Sequence, residues 1–198
     1  MRLAHEIRRG ERNIFGEMLD NLCVNRTKCS SCCWTVGGLR SFAGIDRRFE
    51  VLGEMILGPG RALLIDDYAH HPREIEATLA AAQGCWPDRR KVVVFQPHRF
   101  TRTQELLDDF SALLHGVACL VITEVYAAGE NRIPRADGRA LCRSIRARGG
   151  ADPVFVPQLD QLKQALLPIL RDGDVVLTLG AGDIGRAARE LVPPVRLQ

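Results

Sequence analysis

Apolar and polar positions fall into two textures along the chain, with the change near Leu39. Before Gly38 only a weak helical pattern over Glu6–Leu22 is visible. Asn25–Gly38 follows neither the strand nor the helix period, so residues 1–38 read as an irregular or poorly ordered lead-in. From Leu39 the pattern is regular. Phe49–Met55 predicts a strand, Gly58-Pro59-Gly60 a turn, and Ala62–Ile65 the returning strand of a hairpin. A helix follows over Arg73–Gln83, with Pro72 at its first position, where the missing N–H costs nothing. Lys91–Phe95 is a β-branched run of the kind buried in parallel sheets. Thr101-x-x-Gln104 predicts a capping box opening one helix, whose Leu106, Leu107, Phe110, Leu113 and Leu114 share a face. Ala118–Thr123 is the next strand. Asp137 caps a helix that Gly149-Gly150 ends. Pro153–Val156, Asp174–Leu179 and two helical stretches complete the series: one marked by Leu159, Leu162, Leu166 and Leu170 and bent or ended near Pro168, the other Ile184–Val192.

This order predicts an α/β fold. A β-hairpin precedes a Rossmann-like, mostly parallel sheet with helices on both faces and right-handed crossovers. Residues 39–198 are expected to form that domain.

Composition narrows the class. Hydrophobic residues make up 46% of the 198 and charged residues 26%, as in an ordinary globular protein. The net charge of +3 is small and the arginines are interleaved with apolar residues, so no nucleic-acid partner is indicated. No run is long enough for a membrane span and no signal core opens the chain, so a cytoplasmic protein is expected. Cys85, Cys119 and Cys142 sit in apolar surroundings and read as reduced core residues. Cys23, Cys29, Cys32 and Cys33 crowd together without the second, spaced pair that a structural zinc site needs, so no metal is assigned.

Candidate chemistry lies where strands run into helices. Ile65-Asp66-Asp67-Tyr68-Ala69-His70-His71-Pro72 places two carboxylates, a phenol and two imidazoles in one such loop, and loops at the carboxyl ends of strands hold the ligands of open α/β sheets. Gln96-Pro97-His98-Arg99-Phe100-Thr101-Arg102 follows the next strand. The guanidiniums of Arg99 and Arg102 suit a carboxylate or phosphate, each gripped by paired hydrogen bonds. Glu124–Glu130 is a weaker third loop. Gly180-Ala181-Gly182-Asp183-Ile184-Gly185 has the dinucleotide-loop spacing but follows the last strand, with no acidic ribose partner downstream. It reads instead as a tight turn exposing backbone N–H groups. Arg47-Arg48 precedes the hairpin and could meet a phosphate or ribose. A metal hydrolase using Asp66, Asp67, His70, His71 and His98 is a competing reading, as is a non-catalytic domain binding a nucleotide or partner. Adjacent carboxylates on a strand point to opposite faces, which weighs against the metal site.

Taken together, GIDRRFEVLGE, DDYAHHPREIEATL, VVVFQPHRFTRT, VYAAGENRIPRADG and VLTLGAGDIG resemble, in order, the C-terminal domain of the Mur ligases over roughly Leu39–Val192. The branch resembled most joins L-alanine to UDP-N-acetylmuramate in peptidoglycan precursor synthesis, using ATP and Mg to activate a carboxylate for attack by the amine. The resemblance implies nucleotide contacts from Arg48 (or its neighbour Arg47) and Asp67. It places Tyr68, His70, His98, Arg99 and Arg102 around the reacting carboxylate and the amino acid, and assigns no certain catalytic residue to this domain. The family's ATP loop, G-x-x-x-x-G-K-[ST], does not occur in this sequence, nor does its sugar-binding domain. A fragment or truncated product, inactive by itself, is therefore expected.

Overall fold

The computed structural model describes residues 46–193. Readings that fall on residues 1–45, including the four clustered cysteines, lie outside the described residues. The hairpin forms as predicted: β1 (Glu50–Leu57) pairs antiparallel with β2 (Gly60–Asp67). The turn is closed by Gly58, whose φ of +75° suits glycine. Strands β3 (Lys91–Phe95), β4 (Cys119–Thr123), β5 (Val154–Val156) and β6 (Val175–Leu179) complete one six-stranded sheet in the order β1-β2-β6-β3-β4-β5. Every pairing beyond the hairpin is parallel.

Side-chain alternation divides the core into two layers. Leu63, Ile65, Val93, Phe95, Leu120, Ile122, Val175 and Leu177 face one side, where they meet Ile75 of α1 (Pro72–Cys85), Phe110 and Leu114 of α3 (Leu107–Leu114), and Leu141 and Ile145 of α4 (Gly138–Ala147). The intervening residues Ala62, Leu64, Val92, Val94, Val121 and Val176 meet Leu162 and Leu166 of α5 (Leu162–Leu166) and Ile184 and Ala188 of α6 (Ile184–Leu191). Period-2 strands buried on both faces explain the unbroken apolar runs of the sequence. Burying each of the Val, Leu, Ile and Phe side chains among them contributes about 1.5–3 kcal/mol.

Helix ends follow local sequence chemistry at some positions and depart from it at others. Pro72 opens α1 as expected, and the Glu74 carboxylate accepts from the N–H groups of His70 (2.9 Å) and His71 (3.1 Å). Asp137 caps α4 by accepting from Ala140 N–H at 2.8 Å. Gly149 and Gly150, both left-handed, follow that helix. The helix predicted to start at Thr101 is different. It is two helices, α2 (Phe100–Glu105) and α3, broken at Leu106, and Arg99 rather than Thr101 stands at the capping position. The break lets Phe100 pack under the neighbouring loop with Val125 and Ala136, while Phe110 and Leu114 turn to the sheet. The helix from Leu159 ends before Pro168, as expected of a helix bent or ended near that proline, but it begins as a 3₁₀ turn, Leu159–Gln161, and its α-helical part is only the five-residue α5. Cys142 is buried as expected, and Cys85 and Cys119 are half-buried. Among the described residues no helix is long and apolar enough to cross a membrane.

Candidate functional site

The chain leaves β2 and β3 toward the α1–α3–α4 layer but leaves β6, which lies between them, toward the opposite layer, where α6 packs. Divergent departures of this kind open a crevice at the carboxyl ends of the strands. The loops after β2, β3, β4 and β6 border it, together with the segment Asp46–Phe49 that leads into β1.

Asp66 and Asp67 end β2 and point apart. Asp66 is fully buried, accepts from the Thr178 hydroxyl at 2.8 Å and pairs with Arg47 Nε at 2.8 Å. Asp67, also buried, accepts from Phe49 N–H (3.0 Å), Ala69 N–H (2.9 Å) and the Thr78 hydroxyl (3.2 Å). A carboxylate holding that many internal donors fixes the loop around it. The divergence removes the geometry a shared metal would need. Among the described residues no group of three or more His, Cys, Asp or Glu side chains is arranged to hold a metal ion.

Arg47 and Arg48 are placed quite differently. The Arg47 guanidinium bonds Asp66 and donates to the carbonyls of Gly180 (2.5 Å) and Gly182 (3.2 Å), with its carbon 5.1 Å from the Tyr68 ring centroid. Arg48 is exposed, and its guanidinium lies 5.7 Å from the same ring. Arg47 is thus committed to the protein interior, whereas Arg48 faces outward beside a half-exposed phenol.

Four rings line the crevice in a row that crosses three loops. Tyr68 meets His70 edge-on at 5.4 Å, His70 meets His98 at 5.7 Å, and His98 stacks on Tyr126 at 5.5 Å. Sheet-like bonds continuing beyond β3 and β4 hold the last pair. Tyr126 N–H donates to Pro97 O and Arg99 N–H to Tyr126 O, each at 2.8 Å. Arg99 adopts φ of +70°, a left-handed conformation that an arginine holds only when its surroundings impose it. Arg102 Nη1 lies 3.4 Å from His98 Nδ1. Burial, and then the neighbouring His70, Arg102 and Arg99, push the His98 pKa below its ordinary value, so its neutral form prevails at pH 7. Thr101 donates its N–H and hydroxyl to Glu130 at 3.1 and 2.7 Å, tying this loop to the one after β4. Those bonds hold the Glu130 pKa low.

The glycine-rich loop after β6 is a socket. Gly180 has φ of +147°, and a Cβ there would lie 2.7 Å from Gln96 O. A Cβ on Gly182 would press into Gln96 and Tyr126, and one on Gly185 would lie 2.5 Å from the Arg47 guanidinium carbon. The Gln96 amide closes the socket, donating to Asp183 at 2.7 Å and accepting from Ile184 N–H at 3.1 Å. The spacing of the glycines thus serves internal packing.

Of the residues anticipated from sequence, Arg48 lies beside Tyr68, Tyr68 meets His70, His70 meets His98, and Arg102 lies against His98, with Arg99 at the start of α2. Asp67 is buried beneath the loop and its carboxylate is engaged by internal donors. Three others were not picked out. Arg47 was only the alternative to Arg48. Tyr126 is one member of the weak third loop. Gln96 carries no local signal at all, because its role depends on a strand that is distant in sequence.

A hairpin-led, mostly parallel α/β domain with a cationic, ring-lined crevice is the class that the fold and site define. The chain belongs to the Mur ligase family, whose glutamate ligase domain matches residues 47–182. It is 60% identical over 153 residues to the UDP-N-acetylmuramate–L-alanine ligase of Halorhodospira halophila, covering 77% of this chain and 32% of that protein. It is 49% identical over 178 residues to the corresponding ligase of Xylella fastidiosa, covering 85% of this chain and 37% of the relative. The crystal structure of UDP-N-acetylmuramate–alanine ligase from Thermotoga maritima superposes with a TM-score of 0.62 at 28% identity, over 81% of this chain and 34% of that one. The chain therefore spans about a third of the length of the curated relatives it matches.

Proposed function

We propose that this chain acts as the C-terminal domain of an ATP-dependent amide ligase joining L-alanine to UDP-N-acetylmuramate, and that its crevice holds the amino acid. The observation that carries this reading is the convergence of Arg99, Arg102 and His98 with Tyr68 and His70 on adjacent loops. Two guanidiniums grip the carboxylate of alanine and leave its amine free. Fixing that amine beside an activated carboxylate makes attack effectively intramolecular. The rings of Tyr68, His70 and His98 flank the site, and neutral His98 adds no charge to repel an ammonium group as alanine enters. Cations at the rim also stabilise the negative charge that develops at the acyl centre.

ATP, when bound, would supply the activated carboxylate. Arg48, exposed beside Tyr68, offers the nucleotide a cationic contact. Asp67 acts by shaping the loop beneath it, since its oxygens are already engaged. The described residues offer no cluster for Mg. Most nucleotide and metal binding is accordingly assigned to other parts of a longer ligase.

The test is an NMR titration of the chain with L-alanine, followed by the Arg99→Ala and Arg102→Ala variants. Losing a charge-assisted hydrogen bond costs about 1.5–3 kcal/mol, so each variant should bind alanine roughly ten- to a hundredfold more weakly. Methylamine, which lacks the carboxylate, should shift no signals near Arg99. Unchanged alanine binding in both variants would remove the assignment.

A further inference from the structure

Arg47 is the most heavily engaged charged side chain beside the crevice, yet it does not face it. Its guanidinium joins three segments far apart in sequence: Asp66 at the end of β2, and Gly180 and Gly182 after β6, bonded from the segment leading into β1. The same group lies against the Tyr68 ring. Its backbone is committed too. Arg47 has φ of +56° and Phe49 +50°, Arg47 O accepts from Tyr68 N–H at 2.7 Å, and Arg47 N–H donates to Glu50 at 2.9 Å. Two left-handed non-glycine residues within three positions persist only where surrounding bonds over-determine them. Room for the guanidinium exists because residue 185 has no side chain.

We propose that Arg47 is a positioning residue for the amino-acid site, acting through Tyr68, an inference that rests on the reading of the crevice given above. Tyr68 is the first ring of the row that runs through His70 and His98 to Tyr126. Its backbone N–H and one face of its ring are both held by Arg47. Releasing Arg47 frees the Tyr68 ring to turn, and the edge contact with His70 goes with it. The anchor itself never touches the ligand.

The experiment measures L-alanine binding by NMR in four proteins: the unaltered chain, Arg47→Gln/Asp66→Asn, Tyr68→Leu, and all three substitutions together. The paired neutral change avoids stranding a buried charge at Asp66. The expected result is a Kd raised about tenfold by the Arg47/Asp66 change, with the Tyr68 and His70 ring signals displaced and the sheet amide signals unmoved. That rise should disappear when Tyr68 is already leucine, because residues that act through one another are not additive. Two results would overturn the proposal: an unchanged Kd, or the same rise in the Tyr68→Leu background, which would mark general loosening. If the paired variant fails to fold, Gly185→Ala displaces the guanidinium without removing its charge and should give the same tenfold weakening and ring shifts; normal binding and rings there would equally overturn it. If the unaltered chain binds no alanine, the reading of the crevice fails. The positioning role is then decided by the ring signals alone, and unmoved Tyr68 and His70 signals would refute it.

Discussion

Arg47 and Arg48 are chemically identical neighbours with opposite surroundings. The reason is backbone conformation: the left-handed turn at Arg47 sends its side chain in toward Asp66, while Arg48 stays at the surface. Residue-scale environment also sets the acid response of the domain. His98 ionises below its ordinary pKa of 6.5 in the folded state, so below pH 6.5 the unfolded chain binds the extra proton more readily. Stability should therefore fall as pH drops from 6.5 toward the folded value. Glu74 gives a second step of the same sign. Burial raises its pKa, but the N–H groups of His70 and His71 outweigh that and hold it below 4.5. Its contribution is present above pH 4.5 and is lost as pH falls through the lowered value. Urea midpoints measured from pH 8 to pH 4 should show the first decline, and His98→Phe should remove it. A flat profile in the unaltered chain would contradict the burial assigned to this ring.

At the scale of elements, the glycine loop shows how a motif can be present without its usual chemistry. G-x-G-x-x-G opens a helix here, as it does in dinucleotide-binding folds. In those folds the open space lets a pyrophosphate approach the backbone. In this domain Gln96, Tyr126 and the Arg47 guanidinium occupy it. The expected outcome is no saturable NAD binding in a fluorescence or calorimetric titration. Saturable binding abolished by Gly182→Val would show that the socket opens to a dinucleotide after all. The same view accounts for the break between α2 and α3. Its two halves serve different partners, and a single straight helix would bury only one set of its apolar residues.

For the molecule as a whole, the question is how much of a ligase reaction these elements support. Phosphoryl transfer depends almost wholly on positioning and electrostatic stabilisation. The described residues supply Arg48 and a shaped crevice, without a metal cluster. In an open crevice water screens each such contact. The purified chain should release no phosphate from ATP when given UDP-N-acetylmuramate and L-alanine. Substrate-dependent release that is abolished by Asp67→Ala would mean that the chain carries a complete catalytic apparatus.

Local sequence was sufficient for the strands, the hairpin, the Pro72 and Asp137 helix starts and the strand-to-helix loops that border the crevice. Each follows from hydrophobic period or from the chemistry of a few adjacent residues. It also separated Asp66 from Asp67, because alternation along a strand is a local property. The order β1-β2-β6-β3-β4-β5 was not legible in that way. Placing β6 between β2 and β3 depends on which apolar faces can be buried together, a property of the whole chain. Everything that follows from that placement was decided only in three dimensions: Thr178 beside Asp66, the glycine loop under Arg47, Gln96 against Asp183, and the row of rings from Tyr68 to Tyr126. These contacts join residues that no short-range pattern relates, so their side chains read as ordinary polar positions until the sheet brings them together.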